Sequence, residues 1–292
     1  MRKFQYVTVD VFTSRALEGN PLAVFTDARG LSDAEMQDIA REMRLSETTF
    51  IIPRDEAIER RDGVKVRIFT VAAEMPFAGH PTLGTAAVIA QVRNINDVAL
   101  DLKVGKIPVS FTSTPDGRFG EMTQRDPEFG KIHDPDEIAK LIRVPVAEID
   151  SSIPIQTVST GFAFAIVPLR SLATLEKLDL DLKKADAYLA TTDAGLFFFV
   201  TRDTKGEAGL RARMIFYGGE DPATGSASGC AAAWMVKYRI AKPDEQVLIL
   251  QGVEMKRPSR IFVRARLDGT RVHNVRVGGN CVEVMRGELA LP

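Results

Sequence analysis

Only two of the 292 residues are cysteine, Cys230 and Cys281, and only three are histidine. Two thiols without metal spacing build neither a disulfide framework nor a zinc site, which is the usage of a reducing compartment. His80, His133 and His273 stand far apart with no local ligand spacing, so no metal is expected. Net charge is nearly absent as well: 38 Lys and Arg oppose 39 Asp and Glu, leaving −1. Such a chain has no long-range field to attract nucleic acid or an anionic membrane, and neither partner is expected. No apolar run is long enough to span a bilayer, and the start Met1-Arg2-Lys3-Phe4-Gln5 lacks the apolar core of a secretory leader. A cytoplasmic location is the expectation. Neither a phosphate-cradling P-loop nor a Gly-x-Gly-x-x-Gly after a strand is present, so no nucleotide cofactor is indicated. The run Gly225-Ser226-Ala227-Ser228-Gly229 resembles a hydrolase elbow, but Ala227 holds the centre where serine is required.

What the chain does contain is a duplication. Glu74-Met75-Pro76-Phe77-Ala78-Gly79-His80 and Glu220-Asp221-Pro222-Ala223-Thr224-Gly225-Ser226 align at an offset of half the 292 residues. The alignment holds upstream, where Arg67 in Val64 to Phe69 lies over Arg213 in Leu210 to Ile215. Each copy reads as an alternating half-buried strand, an acidic Pro/Gly turn and an Ala-rich helix. His80 and Ser226 therefore stand at the N-termini of equivalent helices, where unpaired amides and the helix dipole suit a carboxylate. If the halves face each other, both termini converge on one cleft. The expected domains are residues 1–130 and 131–280, with about 281–292 able to return to the first.

Along the chain, Phe4 to Phe12 and Leu22 to Phe25 read as strands joined through the turn Gly19-Asn20-Pro21. Ser32 and Glu35 form a capping box for a helix ending near Leu45, and Thr48 to Ile52 is the next strand. Val98 to Val104 and Ile107 to Phe111 pair around Gly105, and the interdomain crossing is expected within or just after the Pro/Gly-rich stretch 113–135. Asp136 to Ile142 is a short helix, followed by strands Ile155 to Val158 and Phe162 to Val167. Leu172 to Leu189 reads as one helix capped at Thr174. Leu196 to Val200, Val247 to Gln251, Ile261 to Ala265, Val272 to Val277 and Cys281 to Met285 are the remaining strands.

Glu47 lies between hydroxyl residues ahead of an apolar strand. It is open to two readings, a solvated loop acid or helix cap, and a buried general acid/base. The second half offers Ala194 in its place, beside Asp193, and is read as having lost that acid. Alone, His80 is a helix-start hydrogen bonder and Asp221 a turn former. Their matched positions raise the alternative that Glu47, His80 and Asp221 make an acid/base set around an anion-binding cleft, suited to moving a proton on an unsaturated acid.

Gly19-Asn20-Pro21, Ser46-Glu47-Thr48, Glu74 to His80, Glu220 to Ser226, and Gln251-Gly252 through Arg257-Pro258-Ser259 together resemble the phenazine-biosynthesis PhzF-like family, in order and across essentially the whole chain. The resemblance implies an α+β, diaminopimelate epimerase-like fold: two pseudo-symmetric domains, each a curved mixed or antiparallel sheet wrapped around a central helix. It also implies a homodimer and a cofactor-independent isomerase of a small carboxylate, as the founding enzyme is for trans-2,3-dihydro-3-hydroxyanthranilate. Carried over by motif, Glu47 is the proton shuttle and His80 and Asp221 assist it. Gly79, Gly225, Ser226 and Asn20 bind substrate. Epimerases of this fold carry a cysteine before each matched glycine, where this chain has Ala78 and Thr224, so two-thiol chemistry is not expected. Lys256 stands where the family commonly has glycine. A non-catalytic binding protein and a racemase using Glu47 and Asp221 are the alternative readings.

Overall fold

The computed structural model describes every residue except Glu207 and Tyr217. The chain divides into two units, unit 1 comprising Met1–Thr123 with Gly278–Pro292 and unit 2 comprising Gln124–Val277.

Unit 1 contains β1 (Arg2–Val11), β2 (Asn20–Phe25), α1 (Asp33–Met43), β3 (Glu47–Ile52), α2 (Glu56–Asp62), β4 (Val64–Thr70), β5 (Glu74–Met75), α3 (Gly79–Arg93), β6 (Asp97–Leu102), β7 (Gly105–Thr114) and β8 (Gly117–Thr123). Its pairing runs β1–β2–β3–β4–β6–β7–β8, with β2/β3 and β4/β6 parallel and the rest antiparallel. The ladder closes through β17 (Arg271–Leu291), which pairs with β8 and also with β1 from Cys281 to Leu291. Inside lies α3, the crossover between the parallel strands β4 and β6, with eleven of its fifteen residues buried. A helix covered on all sides needs no polar stripe, and its glycine, alanine and threonine content lets strands approach closely. A Cβ on Gly84 would sit 2.7 Å from Val11 Cγ2 and 2.8 Å from Leu22 Cδ2. A second core, under α1, is built from Phe25, Phe50, Phe69, Met36 and Ile39. The Ser32–Glu35 capping box expected for α1 is formed.

Unit 2 contains β9 (Glu128–Ile132), α4 (Pro135–Leu141), β10 (Gln156–Ser159), β11 (Ala163–Leu169), α5 (Leu172–Glu176), α6 (Leu182–Leu189), β12 (Leu196–Thr201), β13 (Leu210–Phe216), β14 (Gly219–Asp221), α7 (Gly225–Lys237), β15 (Val247–Gln251) and β16 (Ser259–Asp268). The pairing β9–β10–β11–β12–β13–β15–β16 repeats the unit 1 pattern, with β11/β12 and β13/β15 parallel. Its central crossover helix, α7, is buried at twelve of thirteen positions. Local register is duplicated too: Phe69 pairs with Glu74 as Ile215 pairs with Glu220. In both copies the arginine of the long strand clasps that glutamate, Arg67 to Glu74 and Arg213 to Glu220.

The stretch 113–135 contains the division between the units, at Thr123/Gln124, flanked by β8 and β9, and its Pro115-Asp116 pair is a hairpin turn with Thr114 facing Gly117. Three sequence expectations are corrected. The segment from Leu172 to Leu189 is two helices, capped by Ser171 and Asp181. Gly278-Gly279 does not interrupt β17, which runs as one strand of 21 residues. Gly278 serves close approach instead, since a Cβ there would be 2.7 Å from the Gly120 carbonyl oxygen. Finally, α2 was not anticipated; it is a seven-residue helix with no buried residue and hence no apolar face to read.

Candidate active site

Within unit 1, three of the expected residues meet. Gly19 takes φ +69°, and a Cβ there would fall 2.3 Å from the Val11 carbonyl oxygen, so glycine is required to turn into β2. The next residue, Asn20, pairs with Val11 and is fully buried. Glu47 opens β3 opposite Thr70, with a side chain 16% exposed. His80 is the second residue of α3 and is buried. Its Nδ1 lies 3.1 Å from Asn20 Nδ2, and its Nε2 lies 3.4 Å from Glu47 Oε2.

Burial lowers the His80 pKa to about 3, because the charged ring loses its hydration. The positive end of α3 opposes protonation in the same direction. The contact between His80 and Glu47 is therefore a neutral imidazole facing a carboxylate, and not an ion pair. Below Glu47, the Thr85 hydroxyl donates to Thr49 Oγ1 at 2.8 Å and ties α3 to β3.

No side chain caps α3; its N-cap is Ala78. Pro81 has no amide hydrogen and Thr82 N–H is used by the Ala78 carbonyl. The helix start therefore offers the Gly79 and His80 amides as donors for an anion.

Unit 2 places Asp221, Gly225 and Ser226 together at the start of α7, again without a side-chain cap. Asp221 Oδ2 accepts from the Thr224 hydroxyl at 2.6 Å. Gln251 clamps the same turn, accepting from Thr224 N–H at 3.0 Å and donating to the Asp221 carbonyl at 2.7 Å and to Thr224 Oγ1 at 2.9 Å. Gly252, at φ +73°, permits this, since a Cβ would lie 2.5 Å from the carbonyl oxygens of both Pro222 and Arg257. The clamp formed by Thr224 and Gln251 was missed as a set by sequence reasoning. The Gln-Gly pair after an apolar strand is the one local sign of it.

The asymmetry of the duplication is chemical. Met75 holds the register place of Asp221, and His80 that of Ser226. At the matched cap positions, Ala78 has no acid/base group and the Thr224 hydroxyl is engaged with Asp221. Cys230 lies inside α7 within 3.6 Å of the Thr160 hydroxyl, and burial pushes both Cys230 and Cys281 up to about 12. Neither is a thiolate base at neutral pH. His133 is bonded to Tyr188 and Thr157, and His273 to Asp268. Among the described residues, no group of three or more His, Cys, Asp or Glu is placed to hold a metal ion, and no helix is long and apolar enough to cross a membrane.

Mixed ladders wrapped around buried crossover helices define the epimerase-like fold class, and relatives matched over nearly the whole chain and named as isomerases make this an isomerase. The chain belongs to the phenazine biosynthesis-like protein family, also called PhzC-PhzF, whose model matches residues 9–287. It is 36% identical over 293 residues to the trans-2,3-dihydro-3-hydroxyanthranilate isomerase of Pseudomonas aeruginosa, covering 98% of this chain and 99% of that one. A Bacillus anthracis phenazine biosynthesis protein of the PhzF family superposes with a TM-score of 0.87 at 25% identity, with both chains covered completely. A hydroxyproline epimerase from Agrobacterium vitis shares the fold at 12% identity and a TM-score of 0.67, covering 99% of this chain and 93% of that one.

Proposed function

We propose that the enzyme moves one proton on a small unsaturated or cyclic carboxylate related to trans-2,3-dihydro-3-hydroxyanthranilate, by general acid/base catalysis with Glu47. The observation that carries this reading is the carboxylate of Glu47, 16% exposed, set 3.4 Å from a neutral imidazole at the start of α3. Glu47 breaks a C–H bond next to the double bonds, and the electron pair spreads through them towards the substrate carboxylate. The protonated Glu47 then forms a new C–H bond at the far carbon, so no electron is gained or lost overall and no cofactor is called on. His80 steadies Glu47, and the Gly79 amide supports the anion. In unit 2, Asp221 is assigned to assist the transfer, and Gly225 and Ser226 to bind a carboxylate through amide and hydroxyl donors.

The decisive variant is Glu47→Gln, which keeps the shape and removes the base. It is expected to lose about 10²–10⁴-fold in turnover with an unchanged melting temperature. Unchanged turnover on a true substrate overturns the proposal. In D₂O the label is expected at a carbon other than the one deprotonated. Label at the original carbon with inversion would identify a racemase.

A further inference from the structure

Asn20, His80 and Glu47 form a line of three polar groups inside unit 1, and the two distances along it constrain each other. Asn20 Nδ2 stands 3.1 Å from His80 Nδ1, and His80 Nε2 stands 3.4 Å from Glu47 Oε2. A neutral imidazole carries one N–H and one lone pair, so settling one nitrogen settles the other. A lone pair on Nε2 would face the lone pairs of an ionised carboxylate, which is repulsive. Hydrogen on Nε2 removes that conflict, and Nδ1 is then the acceptor that an amide N–H requires.

Asn20 is well suited to enforce this choice. It is fully buried, its backbone is fixed by pairing with Val11, and the left-handed turn at Gly19 directs it into β2. An amide is also a donor that does not titrate, so the assignment survives changes of pH that would alter a carboxylate in its place.

We propose that Asn20 is a positioning residue rather than a substrate contact: its amide N–H holds His80 in the Nε2–H tautomer, so that a neutral donor faces Glu47. At 3.4 Å, and not aligned as a hydrogen bond, that donor faces the carboxylate without fixing it in an ion pair. The buried ring also competes poorly for the proton in transit, because its charged form is costly. The consequence for turnover rests on Glu47 as the proton carrier, whereas the tautomer does not.

The test is a two-bond ¹H–¹⁵N correlation spectrum of histidine-labelled protein near neutral pH, with His80 assigned from His80→Gln. His80 is expected as the Nε2–H tautomer. Asn20→Leu, similar in size and without a donor, is expected to populate the second tautomer. It should also lower kcat by about 10–100-fold, the usual cost of losing an outer-shell orienting partner, with KM little changed. An Nδ1–H ring or an imidazolium in the wild-type spectrum overturns the proposal, whether or not the variant folds. So does an Asn20→Leu enzyme with an unaltered spectrum, or one that keeps its kcat and loses only in KM. Full activity in Glu47→Gln would remove the acid/base reading and leave the tautomer assignment intact.

Discussion

Arg213 grips Glu220 as a fork, Nε to Oε1 at 2.9 Å and Nη2 to Oε2 at 2.8 Å, and Arg67 repeats that fork on Glu74 at 2.8 Å in each arm. In each unit the pair staples the strand that precedes the central helix to the turn that aims it. Bidentate geometry makes these more than surface contacts. Glu74 is held at about 2, chiefly by its hydrogen bonds to Arg67.

Removing the acid from the more enclosed pair should be the costlier change. Arg213 has a side chain 11% exposed, and its remaining partners are the carbonyls of Leu175 and Glu176. Glu220→Ala leaves that cation with no bonded counter-charge, only the more distant Glu254, and is expected to cost about 3 kcal/mol in urea unfolding. Glu74→Ala should cost less, because Arg67 also reaches Asp33 in the first turn of α1.

Packing around α3 sets a second expectation. Gly84→Ala would gain about 1 kcal/mol of helix propensity at an ordinary helix position. Here the added methyl meets Val11 and Leu22 at 2.7 and 2.8 Å, and overpacking costs about 1–3 kcal/mol. A net loss of stability is predicted, read as a lower denaturation midpoint. A gain would mean that the sheet yields around the helix.

His80 makes a pH signature. Its ordinary value is 6.5 and its folded value about 3, so between these limits the unfolded chain binds the extra proton. Stability must fall as pH drops from 6.5 towards 3, and this contribution is constant above 6.5. At pH 5 the loss is about 2 kcal/mol. Denaturation of wild type and His80→Gln at pH 5 and 7.5 should show that difference only in the wild type. Equal pH dependence in both would show that the imidazole takes up its proton when folded.

Lys256 occupies a left-handed conformation, φ +58°, in the turn after Gly252. A side chain there costs about 1–2 kcal/mol, partly offset by the greater freedom of an unfolded glycine. Lys256→Gly is predicted to stabilise by about 1 kcal/mol in thermal denaturation.

The parts of this architecture that sequence made legible are those with local signals. The Ser32–Glu35 box needs only four residues, and Arg67 with Arg213, like Glu74 with Glu220, is legible as an aligned copy, while the bonds between arginine and glutamate are not. Misread segments are those where one signal has two physical causes. Gly278 reads as a breaker but lies flat against Gly120. In Leu172 to Leu189, apolar spacing masked the stop and fresh cap at Asp181. At the site, Glu47 and His80 could each be named, whereas their 3.4 Å approach and the Asn20 contact depend on which strands lie parallel. Periodicity carries no information about that.

Closure of the first ladder by β17 has a consequence for synthesis. Residues 278–292 leave the ribosome only after all of Gln124–Val277, so the leading 123 residues must wait with β1 lacking one neighbour. The middle of the chain can finish folding before its beginning does, the reverse of the usual order for nascent proteins.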